Sequence, residues 1–257
     1  MTSTIHADKI MNSSGDQDSG LDLLVNDQVK LKTANTDRVI VDASGRVGIG
    51  ISPDTEFHVK GVTTVANFEG TGGSSFIGLK DSDDGTVGFM GVDGGSIKFQ
   101  TSGSSYSDKL IINAAGHVTK PLTPAFDAAP TSSISHNTNP IPMANVRINN
   151  GSHFNGSNGT FTAPTTGTYF FYCNWLGSNS TTVHRFYFMY NGSAFNETHA
   201  RIDQSQAEDY NATSLQFVKV LNANDTMAMK MTSDNNSSAA YSDAQPGYQG
   251  FGGFLLY

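Results

Sequence analysis

Apolar and polar residues alternate with a period near two along most of this chain, which predicts strands. The longest alternating runs lie in the second half. NGTFTAPTTGTYFFYCNWLG, Asn158 to Gly177, predicts two strands joined by a Thr-Thr-Gly turn. HRFYFMYNGSAF, His184 to Phe195, carries Asn-Gly, the hairpin signal. SLQFVKVLNANDTMAMKM, Ser214 to Met231, alternates on both sides of an Asn-Ala-Asn-Asp turn, and YQGFGGFLLY closes the chain as an aromatic strand. Long strands with evenly spaced turns predict a sandwich or jelly roll of about 135 residues.

The first half has shorter strands and repeats itself. Thr36 to Val47 reads TDRVIVDASGRV, and Ser107 to Val118 reads SDKLIINAAGHV. Every position matches identically or conservatively except Ser44/Ala115 and Arg46/His117. Upstream, VKLKT (Val29 to Thr33) echoes IKFQT (Ile97 to Thr101). The unit is strand, turn, strand, then an Asp/Asn-Ala-x-Gly tight turn. EGTGGSS and DSDDGT are turn-rich spacers between FIGLK, VGFMG and IKF. Stacked short strands with a repeat predict an elongated, quasi-one-dimensional architecture.

Aromatic residues sharpen the division. Of 26 Phe, Tyr and Trp, 20 lie after Lys120. Aromatics supply most core area per residue, so the second half can build its own core. The first half needs partner chains to bury its strands. The expected organisation is an N-terminal attachment segment over 1–35, a repetitive stalk over 36–121 and a globular head over 122–257. The fold class is all-β.

Composition excludes several functions. Charged residues make up 15% of the chain and hydrophobic residues 37%, both low for an ordinary cytosolic enzyme. The formal net charge is -8, which repels phosphate backbones and argues against nucleic-acid binding. No run of eighteen apolar residues exists, so no membrane insertion is expected. MTSTIHADKI shows no signal peptide. The single cysteine, Cys173, sits within YFFYCNW and is expected to be a buried strand thiol.

No constellation for chemistry emerges, so no catalytic residue, cofactor or enzyme activity is expected. Walker loops, nucleophile elbows and helical zinc motifs are missing. His184 and His199 are expected on strand surfaces or at an interface. Asp81-Ser82-Asp83-Asp84-Gly85 is too short for a calcium loop and lacks its distal Glu. Gly45-Arg-Val-Gly-Ile-Gly50 has the wrong spacing for a dinucleotide fingerprint. Its glycines are expected to let backbones approach closely in a trimeric stalk.

Two resemblances narrow the reading. DRVIVDASGRVGIGISPDTEFHVKG, Asp37 to Gly61, resembles the "hydrophobic-D-x-x-G-x-V-G-I-G-x-x-P" repeat of bacteriophage tail fibre stalks. The likeness covers most of Asp37 to Val118, after which TKPLTP departs from the pattern. The second half resembles the globular head of complement subcomponent one-q, in the tumour-necrosis-factor-like superfamily. Ala125 to Ala128 matches the opening strand of that family. Phe154, Asn155, Gly159, Phe161, Ala163, Pro164, Gly167, Tyr169 and Phe171 match its central motif. Phe251, Gly253, Phe254, Leu255, Leu256 and Tyr257 match its final strand. Asn224-Asp225 stands where the family has Gly-Asp. This resemblance implies a ten-strand jelly roll and a homotrimer, with Phe251, Phe254, Leu256 and Tyr257 at the trimer interface.

The function these features suggest is a homotrimeric virion tail fibre. Its N-terminus is expected to dock to tail, baseplate or capsid proteins, and its head to recognise a host surface glycan or protein during adsorption. The alternatives are a purely structural head or capsid decoration fibre without a specific receptor, and a cellular surface or spore filament. Strand parity puts the loops 177–182, 203–209 and 233–246 at the end of the head away from Ala125. Long polar loops on a rigid scaffold are where binding usually resides. The candidate receptor residues are therefore Asp203, Glu208, Asp209, Tyr210, Asp234, Asn235, Asn236, Tyr241 and Asp243. Their carboxylates could accept sugar hydroxyls or hold a cation, and the tyrosines could stack on sugar rings.

Overall fold

A computed structural model of the chain describes residues 7–11, 20–23, 28–83, 85, 87–101, 106–177, 183–203, 211–234 and 249–257. All of its regular structure is β; no helix occurs among the described residues. The chain divides into two compact units, Met1–Ile77 and Gly78–Tyr257.

The first unit contains a six-stranded sheet: β1 (Lys9–Met11), β2 (Gly20–Asp22), β3 (Val29–Thr33), β4 (Thr36–Val41), β5 (Val47–Ile49) and β6 (Phe57–Val59), in chain order. All neighbours are antiparallel except β5 and β6. The β3–β4 hairpin straddles the boundary expected at Asn35/Thr36, so the residues assigned to an attachment segment share a sheet with the repeat. Register shows why alternation matters here. Ile10, Leu21, Leu31, Val39, Ile49 and Val59 form one continuous cross-strand row. Val29, Val41, Val47 and Phe57 form a second row on the same face. The opposite face carries Lys30, Lys32, Asp22 and Asp37, joined as a salt-bridge cluster. Hydrogen bonding from Lys32 holds the Asp37 carboxyl below its ordinary pKa.

The second unit begins with a five-stranded sheet ordered β11-β10-β9-β8-β7. Its strands are β7 (Ser74–Lys80, whose first residues belong to the first unit), β8 (Val87–Asp93), β9 (Ser96–Thr101), β10 (Ser107–Ile112) and β11 (Val118–Thr119). It reproduces the two-faced design. Val118, Ile112, Ile97 and Val92 form an apolar row, with Leu110, Phe99 and Met90 beside it. On the other face Lys98 bridges Asp93 and Asp108, and Gln100 donates to Asp108 at 2.7 Å.

The sequence repeat is a structural repeat. Asp42 Oδ1 accepts the backbone N–H of Ser44 and Arg46, while Asn113 Oδ1 accepts those of Ala115 and His117. Gly45 (φ 81°) and Gly116 (φ 84°) occupy the left-handed corner of each turn, where a Cβ is disfavoured. A register shift falls next to Arg38 in one copy and Lys109 in the other, at the same repeat position. Gly48 and Gly50 behave differently from expectation. A Cβ on Gly48 would lie 2.1 Å from the Ile51 carbonyl oxygen, and one on Gly50 would lie 2.7 Å from that of Lys60. The close approach they permit is within one chain, to Ile51 just after β5 and to Lys60 just after β6.

The head is a jelly-roll-like sandwich of two five-stranded antiparallel sheets. One, ordered β13-β12-β21-β16-β19, uses β12 (Ala125–Ala129), β13 (Asn145–Asn150), β16 (Gly167–Leu176), β19 (Ala212–Leu221) and β21 (Gly250–Leu255). The other, ordered β14-β15-β20-β17-β18, uses β14 (Phe154–Asn155), β15 (Thr160–Thr162), β17 (Val183–Tyr190), β18 (Ser193–Asp203) and β20 (Thr226–Ser233). The Thr-Thr-Gly and Asn-Ala-Asn-Asp turns are corners between sheets, since β15/β16 and β19/β20 divide across the sandwich. Asn191-Gly192 does close a hairpin, with φ of 47° and 76°, the doubly positive geometry that matches strand twist.

Alternate residues of both sheets meet in one core that includes Phe126, Tyr169, Phe171, Trp175, Phe186, Phe188 and Phe251. Trp175 and Phe186 stack across the sheets with centroids 4.4 Å apart. Phe251 is fully buried against Phe126, Phe171 and Phe188 of its own chain. It is therefore a core residue, and its assignment to a trimer interface is corrected. Truncation at such a site removes buried area and leaves a cavity. Phe251→Ala is expected to destabilise the head by about 3–5 kcal/mol, read as a fall in the urea midpoint of Trp175 fluorescence.

Candidate recognition surfaces

Residues that alternate with the core point outward from the β13-β12-β21-β16-β19 sheet, and many are apolar. Val218 and Phe254 both pair with Phe170, and Val220 pairs with Thr168. Phe254 is 40% exposed, Val218 57%, Val220 64%, and Leu256 and Tyr257 remain exposed beyond the strand. Three of the four residues assigned to an interface thus lie on an uncovered surface, and Phe251 lies beneath it. Phe170, Val218 and Val220 join that surface; strand parity in VKVL and YFFY signals them. The face also holds a polar cluster. Arg147 donates to both Asp127 oxygens at 2.7 Å, and the Tyr172 hydroxyl donates to Asp127 at 3.0 Å. Desolvation, with the Asp127 hydrogen bond, pushes the Tyr172 phenol up to about 12.

The two ends of the sandwich differ. At the end where Ala125 begins the head, the register brings together Gly167, Leu221 and Phe254. Asp225 ties the turns there into one knot. Its carboxylate accepts from Asn191 Nδ2, the Tyr190 hydroxyl and the Asn222 backbone N–H, each within 2.9 Å. These donors hold its pKa below the ordinary value, the Asn191 bond contributing most. Asn224 adopts φ 72°. That conformation explains why Asn can stand where the resembling family has Gly, because Asn tolerates the left-handed region better than other side chains do.

The other end receives the stems of the three long loops. Gly177 donates its N–H to Asn211, Asp234 donates to Val183, and Asn211 Nδ2 reaches the Asp203 carbonyl at 3.3 Å. Of the nine candidate receptor residues, Asp203 and Asp234 are described, and they share this rim. Glu208, Asp209, Tyr210, Asn235, Asn236, Tyr241 and Asp243 lie outside the described residues. Both described carboxylates already face arginine: Asp203 accepts from Arg201 at 2.8 Å, and Asp234 pairs with Arg185. The Arg185 hydrogen bond holds Asp234 below its ordinary pKa. The arginines had no place among the candidate residues, although the alternation of VHRFYFMY marks Arg185 and Tyr187 as outward.

The remaining singled-out residues have structural places. His199 is exposed and lies 5.6 Å from Tyr187, ring to ring, whereas His184 is fully buried, contrary to a surface position. Asp81 Oδ1 accepts the Asp83 N–H in a strand-connecting turn.

A family model, that of the C1q domain, matches residues 125–256. Among solved structures, the globular domain of zebrafish complement 1qA protein is 17% identical, with a TM-score of 0.39, over 52% of this chain and 98% of its own. Murine APRIL, crystallised at pH 5.0, is 16% identical, with a TM-score of 0.40, over 52% of this chain and 99% of its own. No curated protein matches the chain.

Cys173 bears a testable consequence of the same packing. It is fully buried, and burial pushes its thiol up to about 12. At pH 8 roughly one thiol in ten thousand is ionised in the native head, against roughly one in four in an unfolded chain. Native protein is expected to resist a disulfide reagent up to pH 10 and to titrate one thiol once unfolded. Because the folded pKa is raised, this residue's contribution to stability is present below about pH 9 and lost as pH rises toward 12.

Proposed function

The chain belongs to the C1q domain family, and from that premise we propose that it is a homotrimeric virion fibre, a tail fibre whose head recognises a host cell-surface receptor during adsorption. The observation that carries the reading is the uncovered apolar sheet. Phe170, Val218, Val220 and Phe254 crowd one face of the head, and each buried side chain of this kind is worth about 1.5–3 kcal/mol. C1q-like domains commonly form trimers, and a threefold assembly of heads would cover this face with its own copies. The two N-terminal sheets add exposed rows of the same character, Leu31, Ile49 and Phe57 in one, Met90, Val92 and Ile97 in the other. Only association with identical chains covers all three faces without inventing a different partner for each. The fibre part rests on the likeness of Asp37 to Gly61 to tail-fibre stalks. The receptor part rests on the long-loop end of the head, where three copies would turn a weak single-site affinity into useful avidity.

Sedimentation of the full chain is expected to give a trimer, and Phe254→Asp with Val218→Asp to give a smaller species. A stable folded monomer of the parent chain would sink the trimer. Purified fibre is expected to adsorb to host cells and to compete with particles for them. Failure to adsorb, with fibres still seen on particles by electron microscopy, would leave a decoration fibre without a receptor.

A further inference from the structure

The outward face of the β14-β15-β20-β17-β18 sheet carries an ordered block of side chains. Three neighbouring strands contribute to it, and strand register defines its rows. At the rim, Asp234 and Asp203 flank Val183. The next row is Thr232, Arg185 and Arg201; the row after it is Lys230, Tyr187 and His199. Alternation puts all six of the latter on the solvent side, with His184, Phe186, Phe188, Met229 and Met231 filling the core from between them.

This concentration of positive charge stands out against the rest of the head. Residues 122–257 contain five Lys and Arg, namely Arg147, Arg185, Arg201, Lys219 and Lys230, and three of the five fall in this block. Arg185 and Arg201 stand directly opposite each other on paired strands. Like charges in that position destabilise a sheet. Asp234 and Asp203 offset the repulsion from the rim side only. Each aspartate also holds its guanidinium in place, which preorganises the remaining N–H donors for a ligand. Arg201 keeps about half of its side chain exposed, at 51%. Among the described side chains no acid occupies the block on the inner side of the arginines; Tyr187 and His199 pack ring against ring there beside Lys230.

An aromatic floor bordered by two guanidinium groups and an ammonium group has the chemistry of a site for a sugar bearing a negative charge. We propose that this face binds acidic polysaccharide, with a sugar ring over Tyr187 and its carboxylate or sulfate held by Arg185, Arg201 and Lys230. Guanidinium meets such oxyanions through paired hydrogen bonds, and the ring supplies apolar area. The inference rests on the receptor reading above and changes it in two ways. It names the ligand class, and it moves the contact from the loop tips onto rigid strands. In a trimer joined through the other sheet this face stays open to solvent.

The test uses the full chain and three immobilised polymers: polygalacturonate, dextran sulfate and neutral dextran. Retention on the two acidic polymers at low salt is expected, weakening as salt screens the charges, with none on neutral dextran. Arg201→Gln with Lys230→Gln is expected to weaken retention at least tenfold while leaving sedimentation and the unfolding midpoint unchanged. Lys219→Gln, compared with Lys230→Gln alone, serves as the control of equal charge, since Lys219 stacks on Tyr190 and Phe195 away from the block. Retention on polygalacturonate marks a carboxylate ligand, and retention on dextran sulfate alone marks a sulfated one. Equal retention on neutral dextran, or equal loss in Lys219→Gln, overturns the proposal. Adsorption to host cells separates the two readings. Parent fibre that adsorbs while the double variant adsorbs equally well defeats this site and spares the receptor function. Parent fibre that fails to adsorb defeats the receptor function itself.

Discussion

Every sheet in this protein is built by period-two alternation, and alternation gives a sheet one apolar and one polar face. The apolar face has to be covered. In the head the inner faces are covered internally, because two sheets close on each other and bury Tyr169, Phe171, Trp175, Phe186, Phe188 and Phe251 between them, while Val218, Val220 and Phe254 stay exposed on the outer face of one sheet. The other two sheets leave many apolar side chains exposed among their described residues. Their apolar rows, Ile10 to Val59 and Val118 to Val92, keep many exposed members, while the opposite faces are neutralised by Lys–Asp clusters. A salt-bridged face is at home in water, so the charges, as much as the apolar rows, mark the face on which a covering partner would lie. Exposed ion pairs add little stability themselves; their value here is to decide which face is wet.

The duplicated module explains how such a small unit holds its geometry without a core. Each copy uses one turn side chain, Asp42 or Asn113, to accept two backbone N–H groups of the following turn. The glycine in the left-handed corner then reverses the chain within four residues. Backbone hydrogen bonds and turn chemistry thus set the register that side-chain packing sets in the head. Register is what keeps the apolar row continuous across six strands, since a slip of one residue would turn the row to the other face. The replacement of Asp42 by Asn113 costs the turn nothing because both side chains offer the same accepting oxygen. It does remove the Arg46 ion pair, whose place Asn113 and His117 fill with a contact at 3.2 Å.

Much of this was legible in the sequence, and the failures have physical causes. Alternation and turn signals identified the all-β class, the repeat and the hairpin at Asn191-Gly192, all of which are local. Connections between sheets were not legible, because a corner and a hairpin use the same turn residues; Thr165-Thr166-Gly167 and Asn222 to Asp225 differ from Asn191-Gly192 only in which sheet receives the next strand. Phe251 and Phe254 looked alike in FGGF, yet parity puts one in the core and the other on the surface. Gly48 and Gly50 were legible as sites of close approach, but only the fold shows that their own chain, at Ile51 and Lys60, makes it. Among the candidate receptor residues, Asp203 and Asp234 do meet at one rim. Arg185 reaches Asp234 from a strand distant in sequence, and Arg201 sits two residues before Asp203 on the same outward face, so the acidic appearance of that rim in the sequence was misleading.

The two ends of the head differ in the length of the connections that meet there. At the end where Ala125 begins the head, a hairpin turn and a corner are fastened by Asp225 to Asn191, Tyr190 and Asn222, and Lys219 lies over the rings of Tyr190 and Phe195. Such an end resists deformation and presents little variable surface. At the opposite end the strands continue into three long polar connections whose stems are joined by backbone bonds and by the Arg185–Asp234 pair, with Arg201 paired to Asp203 along β18. Arg185, Arg201 and Asp203 are strand residues and Asp234 directly follows β20, so the arginines keep their places whatever sequence the loops carry. The scaffold can therefore vary its loops without disturbing the arginines, and the arginines can face a ligand without depending on the loops. A surface that must engage another molecule while its surroundings change is best anchored in this way, on strands whose inward neighbours are locked in the core.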